Sequence, residues 1–176
     1  WDLGVVRPGG GRRGIEPLLA LPAWEGWPEL SPDGRWLAYV SNASGRYQVY
    51  VQPYPAGGAP TVVSLEGGIS PSWHPGGGQL FYLEFDYERH TTGRMMAVEF
   101  GGGSPPRVGQ PRLLFEFDPE RFKFVCRPIR CYDVSRDGRR FYVIPTPAPP
   151  ASPVVTHVSL VQNWFEELRS KVPVER

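Results

Sequence analysis

The sequence predicts an all-β chain made of β-propeller blades, and three observations carry that reading. A turn-and-strand unit recurs three times along the 176 residues. Glycine and proline, 21 of each, fall mostly between short apolar runs, where turns belong. Aromatic residues make up 13% of the chain and cluster inside those runs. A disordered chain lacks such runs because it cannot offset the entropy of ordering.

The repeat reads Ser31-Pro32-Asp33-Gly34-Arg35-Trp36-Leu37-Ala38-Tyr39-Val40 in its first copy. The second runs over residues 73–83 and the third over 134–144. Aligning Gly34, Gly77 and Gly138 aligns the apolar positions behind them. Pro32 fixes φ, Asp33 bonds to nearby backbone, and Gly34 accepts a positive φ. Asp137 and Gly138 repeat that chemistry. In the second copy Gly77 supplies the turn without an aspartate.

The strands follow from the runs behind each turn. Residues 36–40 form a short apolar run bounded by turns, which reads as a strand buried on both faces. Residues 47–51 alternate like a half-exposed strand, 53–60 form a loop, and 61–65 a further strand. In the second unit residues 80–85 read as the inner strand, 86–93 as a loop, 94–100 as the next strand and 112–117 as the outer one. In the third, strand 141–144 precedes a proline-rich loop over 145–153 and a strand over 154–161. A short helix over 164–171 follows, capped by Asn163, with Glu166 and Glu167 near its positive end and Pro173 beyond its close. Residues 1–6 and 15–21 read as the last two strands of a blade. The expected organisation is one partial propeller domain: blade strands over 1–22, blades over 23–66 and 67–117, blade strands over 129–162, then the helix. A β-sandwich also has many short strands, but it gives no reason for one turn and strand to recur three times.

Composition narrows the function classes. A formal net charge of +1 offers no electrostatic grip on nucleic acid. No apolar run reaches the roughly 20 residues that span a bilayer as a helix. Lys123 and Lys171 are the only lysines among 19 basic residues, an arginine bias that points to a GC-rich bacterial genome. The sequence starts with Trp1 rather than Met, and its methionines are Met95 and Met96.

The P-D-G turn before an aromatic-rich strand resembles the TolB-type, WD-repeat-like propeller family. The run 31–55, the run 132–144 and the ending Val161-Gln162-Asn163-Trp164-Phe165-Glu166-Glu167-Leu168 are most similar to C-terminal propellers of large soil-bacterial proteins. Many of those carry an N-terminal Ser/Thr kinase or regulator domain. The resemblance implies a six-bladed ring and brings no catalytic residue with it. About three blades are present here, and a ring typically needs four or more. The expectation is a fragment of a longer protein. The alternatives are a homodimer that completes a six-bladed ring and an arc that stays open.

Catalytic patterns are missing from the sequence. Gly68-Ile69-Ser70-Pro71-Ser72 approaches a nucleophile elbow but lacks its second glycine and leads into a strand. The kinase motifs do not occur, and the Gly- and Arg-rich stretch 9–14 is followed by no P-loop lysine. His74, His90 and His157 show no metal-ligand spacing. Asp33 and Asp137 recur with the repeat, so turn formation explains them better than acid-base work. Trp24, Trp27, Trp36 and Trp73 read as blade core. Cys126 and Cys131 read either as two thiols or as a local disulfide. Asn42-Ala43-Ser44 is a glycosylation sequon without weight in a bacterial reading.

The expected function is a non-catalytic binding or scaffolding module, without cofactor or metal, that holds a protein, peptide or small ligand on a propeller face as the C-terminal sensor region of a larger bacterial protein. Asp86, Glu88, Arg89 and His90, in the most charge-dense loop, are the candidate contacts, with the loop 145–153 beside them. The alternative is the propeller part of a Ser/Thr kinase or a prolyl-oligopeptidase-type peptidase whose catalytic domain lies outside this chain. Cytoplasmic and extracytoplasmic locations both stand.

Overall fold

The computed structural model describes residues 2–6, 14–85, 92–126, 129–147 and 171. Strands β1 (Leu3–Val6) and β2 (Ile15–Leu19) pair antiparallel. Then β3 (Glu25–Leu30), β4 (Trp36–Ser41), β5 (Gln48–Pro53) and β6 (Thr61–Val62) form an antiparallel sheet in chain order. The next sheet uses β7 (Ile69–Trp73), β8 (Gln79–Phe85) and β9 (Gly93–Gly101) in the same order. The nine residues of β9 accept two partners: β10 (Arg107–Val108) at its end and β11 (Arg112–Phe117) along its start. Beyond them come β12 (Phe122–Lys123), β13 (Val125–Cys126), β14 (Ile129–Arg130), β15 (Tyr132–Val134) and β16 (Phe141–Pro145). Of these, β12, β16 and β15 make the third sheet, and β13 and β14 a separate hairpin. The chain is all-β over this range, a series of antiparallel sheets stacked as propeller blades.

Two expectations change. Residues 80–85 are not the inner strand: β8 is second in its sheet, as β4 is in the one before. The edge positions belong to β3 and β7, which pack against each other across the blade boundary. These strands were illegible because each carries a proline, Pro28 or Pro71, where a strand pattern should run. The residue before each proline has a positive φ: 48° at Trp27 and 50° at Ser70. Both bulges shift the register at equivalent places, between Gly26 and Glu29 and between Ile69 and Ser72.

The second change concerns 47–51. Instead of alternating, Gln48 through Gln52 are all buried. The β1–β2 hairpin covers that face, with Leu3, Leu18 and Leu19 packed around Leu37, Tyr39 and Tyr50. The polar groups are satisfied in place. Gln48 Nε2 donates to the Ser64 carbonyl at 3.0 Å, and the Tyr50 hydroxyl donates to Gln48 Oε1 at 3.3 Å. The strand expected over 61–65 is only the two residues of β6. The strand over 154–161 and the helix over 164–171 lie outside the described residues, apart from Lys171.

The main core runs across blade boundaries. Ala38, Val40, Val49 and Val51 join Leu80, Phe81, Leu83, Met95 and Val98 of the next sheet and Phe124, Tyr132 and Val134 beyond it. Phe81 meets Phe141 of the third sheet edge-to-face at 5.1 Å, a favoured aromatic geometry.

Candidate functional site

The three turns share one hydrogen-bond plan. In the first, Ser31 Oγ donates to Asp33 Oδ1 at 2.5 Å and accepts from the Trp36 amide at 3.0 Å, while the Gly34 amide donates to the Ser31 carbonyl. In the third, Ser135 Oγ donates to Asp137 Oδ1 at 2.6 Å and accepts from the Arg140 amide at 2.9 Å. In the second, His74 Nδ1 accepts from the Gly76 amide at 2.9 Å, and the Gly77 amide donates to the His74 carbonyl at 2.7 Å. The imidazole thus accepts from an earlier amide of the turn than the Ser-Asp pair does in the others, while the backbone bond from the glycine amide is common to all three. Gly34, Gly77 and Gly138 have φ of 69°, 74° and 69°, the left-handed region open to glycine. The serine and amide donors hold the carboxyls of Asp33 and Asp137 below the usual aspartate range.

The first and second turns border a cleft of about 380 Å³. Its lining includes Pro32, Asp33 and Arg35 of the first turn, Gly76 to Gly78 of the second, and Gly102 and Gly103. Trp36, Trp73 and Phe100 form the base, with both indoles edge-on to Phe100 at 5.1 and 5.0 Å. The cleft therefore has an aromatic floor, backbone-rich glycine walls and one charged rim.

A second constellation ties β3 and β7 to the β13–β14 hairpin and to β15. Glu29 of β3 is ion-paired with the Arg130 guanidinium of β14. Its Oε1 accepts from the Trp73 amide at 3.2 Å and from Ser72 Oγ at 3.4 Å, both on β7. The Trp73 indole N–H donates to the Glu29 carbonyl at 3.1 Å. Arg130 also donates to the carbonyls of Pro71 and Tyr132, and the Tyr132 hydroxyl donates to the Ser70 carbonyl at 2.7 Å. Burial pushes the Glu29 carboxyl above its ordinary value, although Arg130, Trp73 and Ser72 pull it back. Close by, Cys126 and Cys131 are joined as a disulfide with Cα atoms 5.4 Å apart.

Asp86, Glu88, Arg89 and His90 lie outside the described residues, as does His157. Phe85 and Gly93, the paired residues that flank that loop, stand at the opposite end of their sheet from the cleft. Trp27, Trp36 and Trp73 are buried, and Trp24 packs half-buried against the core. Ser70 is wholly buried on a strand, and its positive φ recurs at Trp27. That recurrence makes the strained backbone a property of the blade rather than the mark of a nucleophile. Among the described residues no group of three or more His, Cys, Asp or Glu could hold a metal. The cleft and the Glu29 network were missed in the sequence because their residues come together only when successive units stack.

No protein-family model matches this sequence, and no curated protein matches it. Solved structures do. One is "putative TolB from Agrobacterium tumefaciens", 20% identical with a TM-score of 0.61, matched over 84% of this chain and 51% of that one. Another is TolB from Acinetobacter baumannii, 16% identical with a TM-score of 0.47, matched over 81% of this chain and 42% of that one. The chain thus spans about half the length of the solved structures it resembles. Its antiparallel blades, repeated turns and the first of these matches together show the fold of a TolB-like β-propeller.

Proposed function

We propose that this chain is a non-catalytic propeller module that holds a protein or peptide segment on its turn-bearing face. The observation that carries this reading is the cleft over Trp36, Trp73 and Phe100. Its aromatic floor suits an apolar or proline side chain, and its glycine walls let a ligand backbone approach closely. Propeller loops gather at the two faces, which is where such modules bind. The loop with Asp86, Glu88, Arg89 and His90 is a second contact region in this proposal. The role of C-terminal sensor in a larger bacterial protein is part of the same proposal.

The test uses a displayed library of random dodecapeptides selected on the chain. Gly102 has an ordinary φ, and a side chain there would first meet Trp36 at about 3.8 Å, so a leucine enters the cleft without breaking the turn. Gly102→Leu is expected to weaken selected peptides about tenfold, a loss of about 1.4 kcal/mol. Equal binding to both proteins would move the site elsewhere.

A further inference from the structure

Cys126, inside a short hairpin, is bonded to Cys131 just beyond it, and backbone pairing alone holds that hairpin poorly. Strands β13 and β14 have two residues each, joined through Val125 with Arg130 and Cys126 with Ile129. An isolated hairpin is marginal in water even at greater length. The disulfide crosses this one diagonally, from Cys126 at its turn end to Cys131 just past its open end, where the Cys131 amide donates to the Phe124 carbonyl at 3.1 Å. Arg130 is the residue directly before Cys131. Its guanidinium leaves the hairpin and reaches Glu29 on β3 and the Pro71 carbonyl on β7. The residue that fastens the hairpin to the first and second sheets therefore sits directly beside the disulfide. Both cysteines are only half-buried, and Ile129 next to them is 64% exposed, so a small dithiol can reach the sulfurs.

We propose that Cys126–Cys131 is a redox site whose state sets whether Arg130 stays clasped to Glu29. The reductant is a dithiol. One of its thiolates attacks a protein sulfur, the Cys126–Cys131 bond breaks, and a mixed disulfide forms. The second thiol of the dithiol then displaces that sulfur. The dithiol leaves as a cyclic disulfide, and its two protons end on the two cysteine thiols. The opened hairpin no longer orients Arg130, and the half-buried Glu29 carboxylate loses its counter-charge. Removal of one partner of a buried ion pair is strongly destabilising. The Trp73 amide, which donates to the same carboxylate, loses its protection.

Hydrogen exchange at the Trp73 amide reads this directly, with dithiothreitol as the dithiol. Reduction of the 176-residue chain is expected to speed that exchange about tenfold, the scale of a lost hydrogen bond to a charged group. The double variant Cys126→Ser, Cys131→Ser should exchange at the fast rate with or without dithiothreitol. Arg130→Met, which keeps the disulfide but removes the clasp, should already exchange fast and respond little to reduction. If Arg130→Met does not fold, Arg130→Lys supplies the same comparison, since lysine lacks the fork that reaches Glu29 and Pro71 together. A slow Trp73 amide after mass spectrometry shows the disulfide open would overturn the proposal. So would an Arg130 variant that responds to reduction as fully as the wild type, because the disulfide would then act without the clasp. Two free thiols in the protein purified in air would remove its basis.

Discussion

The imidazole of His74 fills the space that a side chain at residue 138 would need. The ring belongs to the second turn and Gly138 to the third, so two successive blades touch through a histidine and a glycine. Gly34 holds the same φ of 69° in the first turn, yet a Cβ there would meet nothing within 4 Å.

Gly34→Ala and Gly138→Ala therefore share a backbone penalty and differ in a steric one. The left-handed backbone alone costs alanine about 1 kcal/mol. Gly34→Ala should lower the melting temperature by about 2–4 °C, and Gly138→Ala by at least twice that, since the turn and His74 must also part. A pair of thermal melts checks it. Equal losses would mean that the contact between the turns carries no strain.

Phe81 is 1% exposed and joins the second sheet to Phe141 of the third. Phe81→Ala removes a large buried ring at a blade boundary and should cost about 3–5 kcal/mol in a urea titration. That is a large part of the roughly 5–15 kcal/mol that holds a typical domain.

Glu29 predicts a pH effect of defined sign. Its folded-state carboxyl is raised above 4.5, mainly by burial, so the folded protein holds this proton more tightly than the unfolded chain does. The associated stability is fully present below 4.5 and is lost as pH rises through the raised value. Urea midpoints of wild type minus Glu29→Gln should therefore fall as pH rises from about 4 to about 8. A flat difference would show that Arg130 and the Trp73 amide fully offset the burial.

Asp33 predicts the opposite sign. Its carboxyl is lowered by the Ser31 hydroxyl and the Arg35 amide, so its stabilising effect is present above 3.8 and lost as pH falls below. The stability difference between wild type and Asp33→Asn should vanish under acid conditions, as should that for Asp137→Asn. The same melts, repeated across acidic pH, measure both.

The turns were legible because their chemistry is local. Proline, aspartate and glycine at Pro32, Asp33 and Gly34 encode a conformation that needs no partner elsewhere. The strands behind them, β4, β8, β9, β11 and β16, were legible as apolar runs. The inner strands were not, because Pro28 and Pro71 break the pattern and the bulges at Trp27 and Ser70 cannot be inferred from composition. The burial of Gln48 and Gln52 was hidden for another reason. A hairpin from the far N-terminal side covers their face, and no local window contains it. The cleft and the Glu29–Arg130 pair are further still from legible, since 101 positions separate the two charges.

A stack of repeats ordinarily couples each unit only to its neighbours, so an end unit can melt while the rest stands. The Glu29–Arg130 pair skips a unit. It passes over the second sheet and gathers the Trp73 amide and the Pro71 carbonyl on the way. Loss of the β13–β14 hairpin thus strips a counter-charge from the first sheet as well as a neighbour from the second. The first and second sheets and the hairpin beyond them are thus joined through one carboxylate, so the loss of any one of them is felt by the other two.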